Sequence, residues 1–340
     1  MPKRWADPKD ASCLFITSHA GIVGGGELWS CQIASIFDSL TDMRFLGRPP
    51  GRGFRKNHAF TDRFKHTGVG FKPDIFISCS HFVVPEPVGK ERNILVVFFP
   101  NKDHKNAVAR YDTIITLSEF SRRWIKKYWK RDSIVINPYV DHCVFRPGPE
   151  VSRCITVINV GRFFEEPDGH GKRQDVLIEA FAGLRKQVKD ATMVLAGAVI
   201  SPDDEKYLLK CKVLAEKLGV LDHISFEETP PLDRLVTLYQ NSHFYWHANG
   251  YEQDDPFKTE HFGYVIAEAM ACGCEPIIYK NGGYEEFNCP IWTGVGQLAD
   301  ITEEQLELHN IENWEQMWQD EALKFSRQTA EERIFEIIGR

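Results

Sequence analysis

Short apolar runs alternate with longer amphipathic stretches along most of this chain. The runs predict strands at residues 13–19, 74–78, 93–99, 113–118, 133–137, 155–161, 191–197, 223–228, 243–248 and 275–280. Apolar residues at helical spacing predict helices over residues 24–40, 174–188, 204–218, 232–241 and 263–271. Because strands that alternate with helices form parallel sheets through right-handed crossovers, the pattern predicts an α/β fold with doubly wound sheets.

The alternation is interrupted once by Pro147, Gly148 and Pro149, and it restarts near residue 155. A length of 340 residues also favours two domains over one. We therefore expect an N-terminal domain over 1–148 and a second domain over 149–320. The acidic stretch 302–340 has apolar and aromatic residues at helical spacing, and residues 321–340 are taken as a separate C-terminal helix.

The composition is that of a folded protein, with 43% hydrophobic and 26% charged residues. The longest apolar run, Ile94–Phe99, is far too short to span a bilayer, and the first twenty residues lack the apolar core of a signal peptide. Nine cysteines occur without a C-x-x-C pair, which is typical of buried thiols in a reducing compartment. We expect a cytoplasmic protein.

Charge is divided unevenly along the chain. Residues 1–150 carry 23 Lys and Arg against 15 Asp and Glu, whereas the remaining residues carry 18 against 33. Much of the positive charge lies in the stretches Arg44–Lys72 and Arg122–Arg131. This asymmetry suggests that the N-terminal half meets an anionic partner, although two solvated faces of opposite sign would give the same count. Nucleic acid is not expected, because the chain is acidic overall and contains no recognisable binding module.

Two loops that follow predicted strands carry residues suited to phosphate. Gly24, Gly25 and Gly26 stand at the start of a predicted helix, where backbone N–H groups can approach an anion. Alternatively, these glycines only form a tight turn. Arg162 and Lys172 flank the loop after the strand at 155–161 and can clamp a pyrophosphate between them. Their spacing is also common in loops without a ligand.

The most specific feature is a pair of glutamates, Glu260 and Glu268, that bracket the start of a helix about two turns apart on one face. Glu268 lies among alanines, where a carboxylate is costly unless it is paired. A ribose diol would be a suitable partner, because a carboxylate accepts two hydroxyl hydrogen bonds. The alternative is a surface helix that carries two solvated acids.

These segments resemble the retaining GT-B glycosyltransferases, and in particular glycosyltransferase family 4. The strongest match is EHFGYVIAEAMACGCEPIIYKNGG, with seven residues between its glutamates, followed by a helix of small residues, Gly, Pro and a strand. The others are NVGRFFEEPDGHGKRQDVLIEAF, SHAGIVGGGELWS, and LSEFSRRWIKKYW with INPYVDHCVFRP. Together they cover most of residues 12–290.

The resemblance implies two Rossmann-like domains that face each other across a cleft, the first binding the acceptor and the second the nucleotide-sugar. It implies that the C-terminal helix crosses back to the first domain. It assigns Arg162 and Lys172 to the diphosphate and Glu260 to the donor sugar, and these three are the catalytic residues expected. The donor-binding positions that it implies are Gly24, Gly25, Gly26, Phe262, Gly263 and Glu268.

The activity implied is transfer of a hexosyl unit, with retention, from GDP-mannose or a UDP-sugar to a glycan or a lipid-linked acceptor. An epimerase or phosphorylase of the same fold, or a non-catalytic carbohydrate-binding or scaffold protein, are the alternatives. There is no Asp-x-Asp motif, so neither a metal nor a cofactor besides the donor substrate is expected. Many relatives carry a histidine where this chain has Phe98 and Phe99, which leaves His19, His81 and His104 as acceptor-side candidates.

The basic N-terminal half also predicts peripheral, salt-sensitive contact with an anionic membrane surface, because a neutral soluble acceptor would not require such a field. Reversing the charges of Arg52, Arg55 and Lys56 should weaken that contact.

Overall fold

The computed structural model describes residues 8–17, 24–47, 64–65, 67, 70–79, 84–148, 155–308 and 314–339. The chain divides into two compact units, one of residues 1–139 with 327–340 and the other of residues 140–326. The break after Tyr139 precedes the expected boundary at 148, and the second unit extends beyond residue 320 to Ser326. We call them unit 1 and unit 2 and describe each by itself.

The described part of unit 1 contains a six-stranded parallel sheet in the order β2-β1-β3-β4-β5-β6. Its strands are β1 (Ser12–Thr17), β2 (Asp42–Gly47), β3 (Ile75–Cys79), β4 (Arg92–Val97), β5 (Thr113–Thr116) and β6 (Ile134–Val135). Its helices are α1 (Gly25–Leu40), α2 (Lys105–Val108), α3 (Glu119–Trp129) and α10 (Arg327–Gly339). The hydrophobic pattern missed β2, because Arg44 interrupts its apolar residues.

Local signals set the helix ends of unit 1. Ser118 caps α3 by accepting a hydrogen bond from the Ser121 N–H, and Lys130 ends that helix in the left-handed conformation.

At the other end of the chain, α10 lies against α1. The Arg327 guanidinium donates to the Ser35 hydroxyl, and the buried Arg92 donates to the backbone oxygen of Ile337. The C-terminal helix is therefore an integral part of unit 1.

The described part of unit 2 contains a second six-stranded parallel sheet, in the order β12-β11-β10-β7-β8-β9. Its strands are β7 (Thr156–Val160), β8 (Thr192–Gly197), β9 (Ile224–Glu228), β10 (Phe244–His247), β11 (Glu275–Tyr279) and β12 (Ile291–Trp292). Its helices are α4 (Gln174–Gln187), α5 (Pro202–Lys217), α6 (Leu232–Gln240), α7 (Tyr264–Ala271), α8 (Val295–Leu308) and α9 (Trp314–Ala322).

The strand order of unit 2 reverses direction between β7 and β10, which are neighbours in the sheet although far apart in sequence. The predicted α/β class with doubly wound parallel sheets is confirmed. In such sheets the carboxyl ends of the two strands at the reversal leave a crevice for ligands. The side chains that follow β7 and β10 are therefore expected to line a ligand-binding site.

Among the described residues, no helix is long and apolar enough to cross a membrane. The cysteines of that part of the chain are free thiols, and Cys13, Cys79, Cys211, Cys272 and Cys274 among them are buried.

Candidate functional site

Four polar side chains meet at the carboxyl ends of β7 and β10 in unit 2. Lys172, which precedes α4, places its Nζ 2.9 Å from Oε2 of Glu260. Asn249 donates from Nδ2 to the same oxygen at 2.8 Å, and Nε2 of His247 lies 3.4 Å from it. We call these residues the Glu260 cluster. Within the described part of the chain these hydrogen bonds all go to Oε2, so Oε1 can accept a further hydrogen bond.

The charge state of the Glu260 cluster follows from these contacts. Burial by itself would raise the pKa of Glu260, but the Lys172 ammonium and the His247 ring outweigh burial and hold that pKa well below its usual range. Burial lowers the pKa of His247, against the opposing pull of Glu260. At neutral pH the cluster therefore holds a fixed carboxylate, an ammonium and a neutral imidazole.

Glycines let the backbone close around the Glu260 cluster. A side chain on Gly161, at the end of β7, would come within 2.8 Å of Cγ of Lys172. Gly282 has a φ of +70°, and a Cβ there would lie 2.0 Å from the backbone oxygen of Glu260. The next residue, Gly283, donates its N–H to that same oxygen at 2.7 Å. The glycine pair after β11 thus fixes the loop that carries Glu260.

Glu268 lies on α7 and contacts different partners. The hydroxyl of Tyr239 donates to Oε2 of Glu268 at 3.3 Å. Burial raises the pKa of Glu268 to about 7, and the Tyr239 hydroxyl only partly offsets that effect. Glu268 therefore changes its charge near neutral pH unless a donor of hydrogen bonds stabilises its carboxylate.

The expectation that Glu260 and Glu268 share one helical face is wrong. The helix begins only at Tyr264, and Gly263 before it has a φ of +105°, in the left-handed region. A Cβ on Gly263 would lie 2.6 Å from Cδ1 of Ile266, so this turn is reserved for glycine. The turn directs Glu260 towards Lys172, while Glu268 points to Tyr239.

Arg162, the other cation expected at the diphosphate, is bound to a carboxylate of its own. Its Nε and Nη2 each lie 2.9 Å from the oxygens of Asp204, whose side chain is buried. Burial raises the pKa of Asp204, yet Arg162, the Ile200 N–H and the Ser201 hydroxyl together lower it to about 2. Arg162 is thus held in one orientation, and its guanidinium lies 5.4 Å from the centre of the Phe164 ring.

Phe262 is buried next to the turn at Gly263. Its ring is buried and packs against Tyr264, Phe287 and Phe325, with ring centres 5.2–5.9 Å apart. This aromatic cluster packs beside the turn at Gly263 and stabilises it.

Unit 1 holds the remaining candidate residues. Gly24 is the extended residue before α1, and a Cβ on Gly26 would touch the Phe98 ring at 3.5 Å. The glycines therefore lie at a helix N-terminus that follows β1, as an anion-binding turn requires. His104 is half-buried in a short helical turn before α2. His19, His81, Arg52, Arg55 and Lys56 lie outside the described residues.

Sequence reasoning did not identify the partners of the two glutamates or of Arg162, namely Tyr239, His247, Asn249 and Asp204. A signal was available for two of them, because His247 and Asn249 stand at the end of the predicted strand 243–248. The rule that ligands bind at the carboxyl ends of parallel strands would have selected them. Tyr239 and Asp204 lie within predicted helices, and only the fold brings them to their carboxylate and guanidinium partners.

Residues 147–307 match the family described as "Glycosyl transferases group 1". A human GDP-Man:Man(3)GlcNAc(2)-PP-Dol alpha-1,2-mannosyltransferase is 26% identical over 183 residues, which cover 51% of this chain and 35% of that protein. The protein of the same name from Dictyostelium discoideum is 26% identical over 136 residues, covering 40% of this chain and 25% of that protein. Most of each relative's length therefore lies outside the match.

Solved structures resemble nearly the whole chain. A glycosyltransferase from Rickettsia africae has a TM-score of 0.75 at 15% identity, over 97% of this chain and 98% of that one. Anabaena HepE in complex with UDP has a TM-score of 0.76 at 17% identity, over 96% and 99%. At these identities the likeness shows the fold, and the predicted GT-B fold is confirmed.

Proposed function

We propose that this chain is a retaining glycosyltransferase of family 4 that moves a hexosyl unit from a nucleotide diphosphate sugar to a glycan or lipid-linked acceptor. The observation that carries the proposal is the Glu260 cluster. An ionised carboxylate, anchored through one oxygen, stands at the strand reversal of a unit that matches group 1 glycosyltransferases. We infer that its second oxygen accepts a hydroxyl of the donor sugar.

The chemistry expected of this site is electrostatic. As the bond between sugar and diphosphate breaks, negative charge grows on the leaving group and positive charge on the sugar. Lys172 and Arg162 stabilise the first, in the way that preorganised donors lower a barrier. The leaving phosphate assists removal of the acceptor proton on the same face, so no protein nucleophile is required. Because the two cations supply the positive charge, transfer proceeds without a metal ion.

GDP-mannose and a UDP-sugar are the two leading candidates for the donor substrate. The curated relatives are named for GDP-Man and for an acceptor on PP-Dol, which supports GDP-mannose and a lipid-linked acceptor. Solved structures of Anabaena HepE contain UDP and UDP-glucose, which supports a UDP-sugar. The glycines Gly24–Gly26 at the start of α1 supply backbone N–H groups that suit an anion, and unit 1 binds the acceptor.

A thermal-shift panel of GDP-, UDP- and dTDP-sugars, with EDTA present, tests the proposal and selects the base. The nucleotide that raises the melting temperature is then used to follow release of nucleoside diphosphate with and without acceptors. Release that depends on an acceptor supports transfer, and analysis of the product anomer tests retention. If no nucleotide shifts the melting temperature, the chain is not a nucleotide-sugar enzyme.

Changing Glu268→Gln should weaken binding of the matching nucleoside diphosphate by about 1.5–3 kcal/mol at pH 8. The carboxylate accepts two ribose hydroxyls, whereas the amide presents one acceptor oxygen and an NH₂ group that the diol does not need. Isothermal titration against wild type measures the difference. Equal affinities would make Glu268 a structural residue.

The pH dependence of that titration is its internal control. With a pKa of about 7, Glu268 is protonated in acid and loses its capacity to accept two hydroxyl hydrogen bonds. Affinity for the nucleoside diphosphate should therefore fall as pH decreases below about 7, approaching tenfold per pH unit. Glu268→Gln should lose this dependence.

Changing Asn249→Ala should lower turnover about tenfold, because it removes a buried donor that fixes the Glu260 carboxylate. Affinity for the nucleoside diphosphate alone should stay within about twofold of wild type, since Glu260 faces the sugar. Asn241→Ala is the matched control, because Asn241 is an exposed asparagine whose side chain donates to the backbone oxygen of Thr237 in its own helix. Equal losses of turnover and nucleotide affinity would contradict a positioning role for Asn249.

A further inference from the structure

Helix α3 of unit 1 presents an outer face of unusual composition. Six cations and one carboxylate lie between Glu119 and Arg131. Its inner face is buried through Phe120, Ser121, Ile125 and Trp129. The cations Arg123, Lys126 and Lys127 project from the opposite, exposed side. The helix is therefore strongly amphipathic, and its polar face is basic.

Aromatic rings run along one edge of this face. Phe120, Trp124 and Tyr128 recur every fourth residue, and their ring centres are 6.4 and 5.0 Å apart. Phe99, just after β4, joins the row at 5.9 Å from Phe120 and 6.0 Å from Trp124. Trp124 and Tyr128 are half-buried, so the row reaches the surface at those two positions.

Cations lie over these rings. Nζ of Lys127 is 4.1 Å from the centre of the Trp124 ring, and Nζ of Lys102 is 4.8 Å from that of Tyr128. Lysines in such positions lay their apolar stems on the aromatic surface and keep the ammonium in the polar layer. The same arrangement of Lys, Trp and Tyr marks the boundary between lipid and water in membrane proteins.

The positive charge of this face is only partly compensated. Arg122 is paired with Glu119 and Asp132, at 3.2 and 3.4 Å. Across the described residues, Lys102, Lys126 and Lys127 form no ion pair, and all three are exposed. A surface that attracts anions, with a half-buried aromatic row at its edge, fits a layer of anionic headgroups over hydrocarbon.

We propose that the surface formed by Lys102, Trp124, Lys126, Lys127 and Tyr128 docks on the anionic lipid headgroups of a bilayer. Single-stranded nucleic acid is the less suitable partner, because the rings pack on one another and lie under cations, which leaves no open platform for a base. This surface would bring the protein to a lipid-linked acceptor in the membrane, a role that rests on the proposed function. Vesicle binding is measured without substrates, so it stands or fails independently of glycosyl transfer.

Co-sedimentation with vesicles of phosphatidylcholine and phosphatidylglycerol tests the surface. Wild type should bind at low salt, release near 1 M salt, where the Debye length is about 3 Å, and not bind pure phosphatidylcholine. The triple variant Lys102→Glu, Lys126→Glu, Lys127→Glu should lose at least about 100-fold in partitioning, since each basic residue contributes about fivefold. The matched control reverses three exposed unit 2 lysines, Lys186, Lys189 and Lys217, and should bind like wild type.

A second measurement places the aromatic row at the lipid. Brominated phosphatidylcholine in the anionic vesicles should quench Trp124, so Trp124→Phe should show less quenching at equal bound protein. The proposal is overturned if wild type does not bind anionic vesicles at low salt, or if the triple and control variants bind equally. It is also overturned if the face binds single-stranded RNA while vesicles show no binding at the same salt.

Discussion

Lys172→Ala should lower turnover by about 100-fold or more, the largest loss of activity that we expect from a single change. Removing the ammonium takes away charge stabilisation of the leaving diphosphate, which is worth about 3–4 kcal/mol for a preorganised contact. It also removes the strongest electrostatic support for the ionised Glu260. Steady-state release of nucleoside diphosphate, with the donor and acceptor found in the panel, measures the effect.

The control for Lys172 is Lys210→Ala. Lys210 also forms an ion pair, with Glu165 at 2.7 Å, but its side chain is about half exposed and lies outside the Glu260 cluster. Its loss should leave turnover within about twofold, as expected for a surface pair. Wild-type turnover in Lys172→Ala would remove Lys172 from the reaction. A loss confined to binding of the nucleotide would make it a binding residue only.

Asp204→Ala should destabilise the protein by about 3 kcal/mol, the largest effect on folding that we expect. The buried carboxylate accepts from Nε and Nη2 of Arg162, from the Ile200 N–H and from the Ser201 hydroxyl. Alanine leaves these donors without their acceptor. Urea unfolding measures the difference, and Asp203→Ala is the control, because Asp203 is the exposed neighbour whose pair with Lys206 is solvated.

Acid titration distinguishes the ion pair from mere packing. The pKa of Asp204 is lowered from 3.8 to about 2, so its ionised form stabilises the folded state above pH 3.8. That contribution, about 2.5 kcal/mol, is lost as pH falls towards 2. Asp204→Ala should flatten this part of the stability curve. If its acid dependence equals that of wild type, Asp204 acts through packing alone.

The sequence by itself determined the architecture of the protein. Hydrophobic patterning follows side-chain burial residue by residue, so apolar strands such as 155–161 and 243–248 could be located without a structure. The motif from Glu260 to Gly283 could also be recognised in the sequence, because its glycines stand where the backbone requires glycine. The pattern missed strand β2, where a charged residue breaks the apolar run.

Only the tertiary structure decided how the charges pair. Glu260 and Lys172 are 88 residues apart, and Arg162 and Asp204 are 42 apart, so no local pattern links them. The left-handed turn at Gly263 sends the two glutamates to different partners, against the expectation of a shared helical face. Burial raises the pKa of both glutamates, but the Lys172 ammonium and the His247 ring hold the pKa of Glu260 well below its usual range, whereas the Tyr239 hydroxyl leaves the pKa of Glu268 raised to about 7. The hydrophobic pattern of the sequence indicates which residues are buried, whereas the charge state of a side chain depends on the partners that folding brings within a few ångströms.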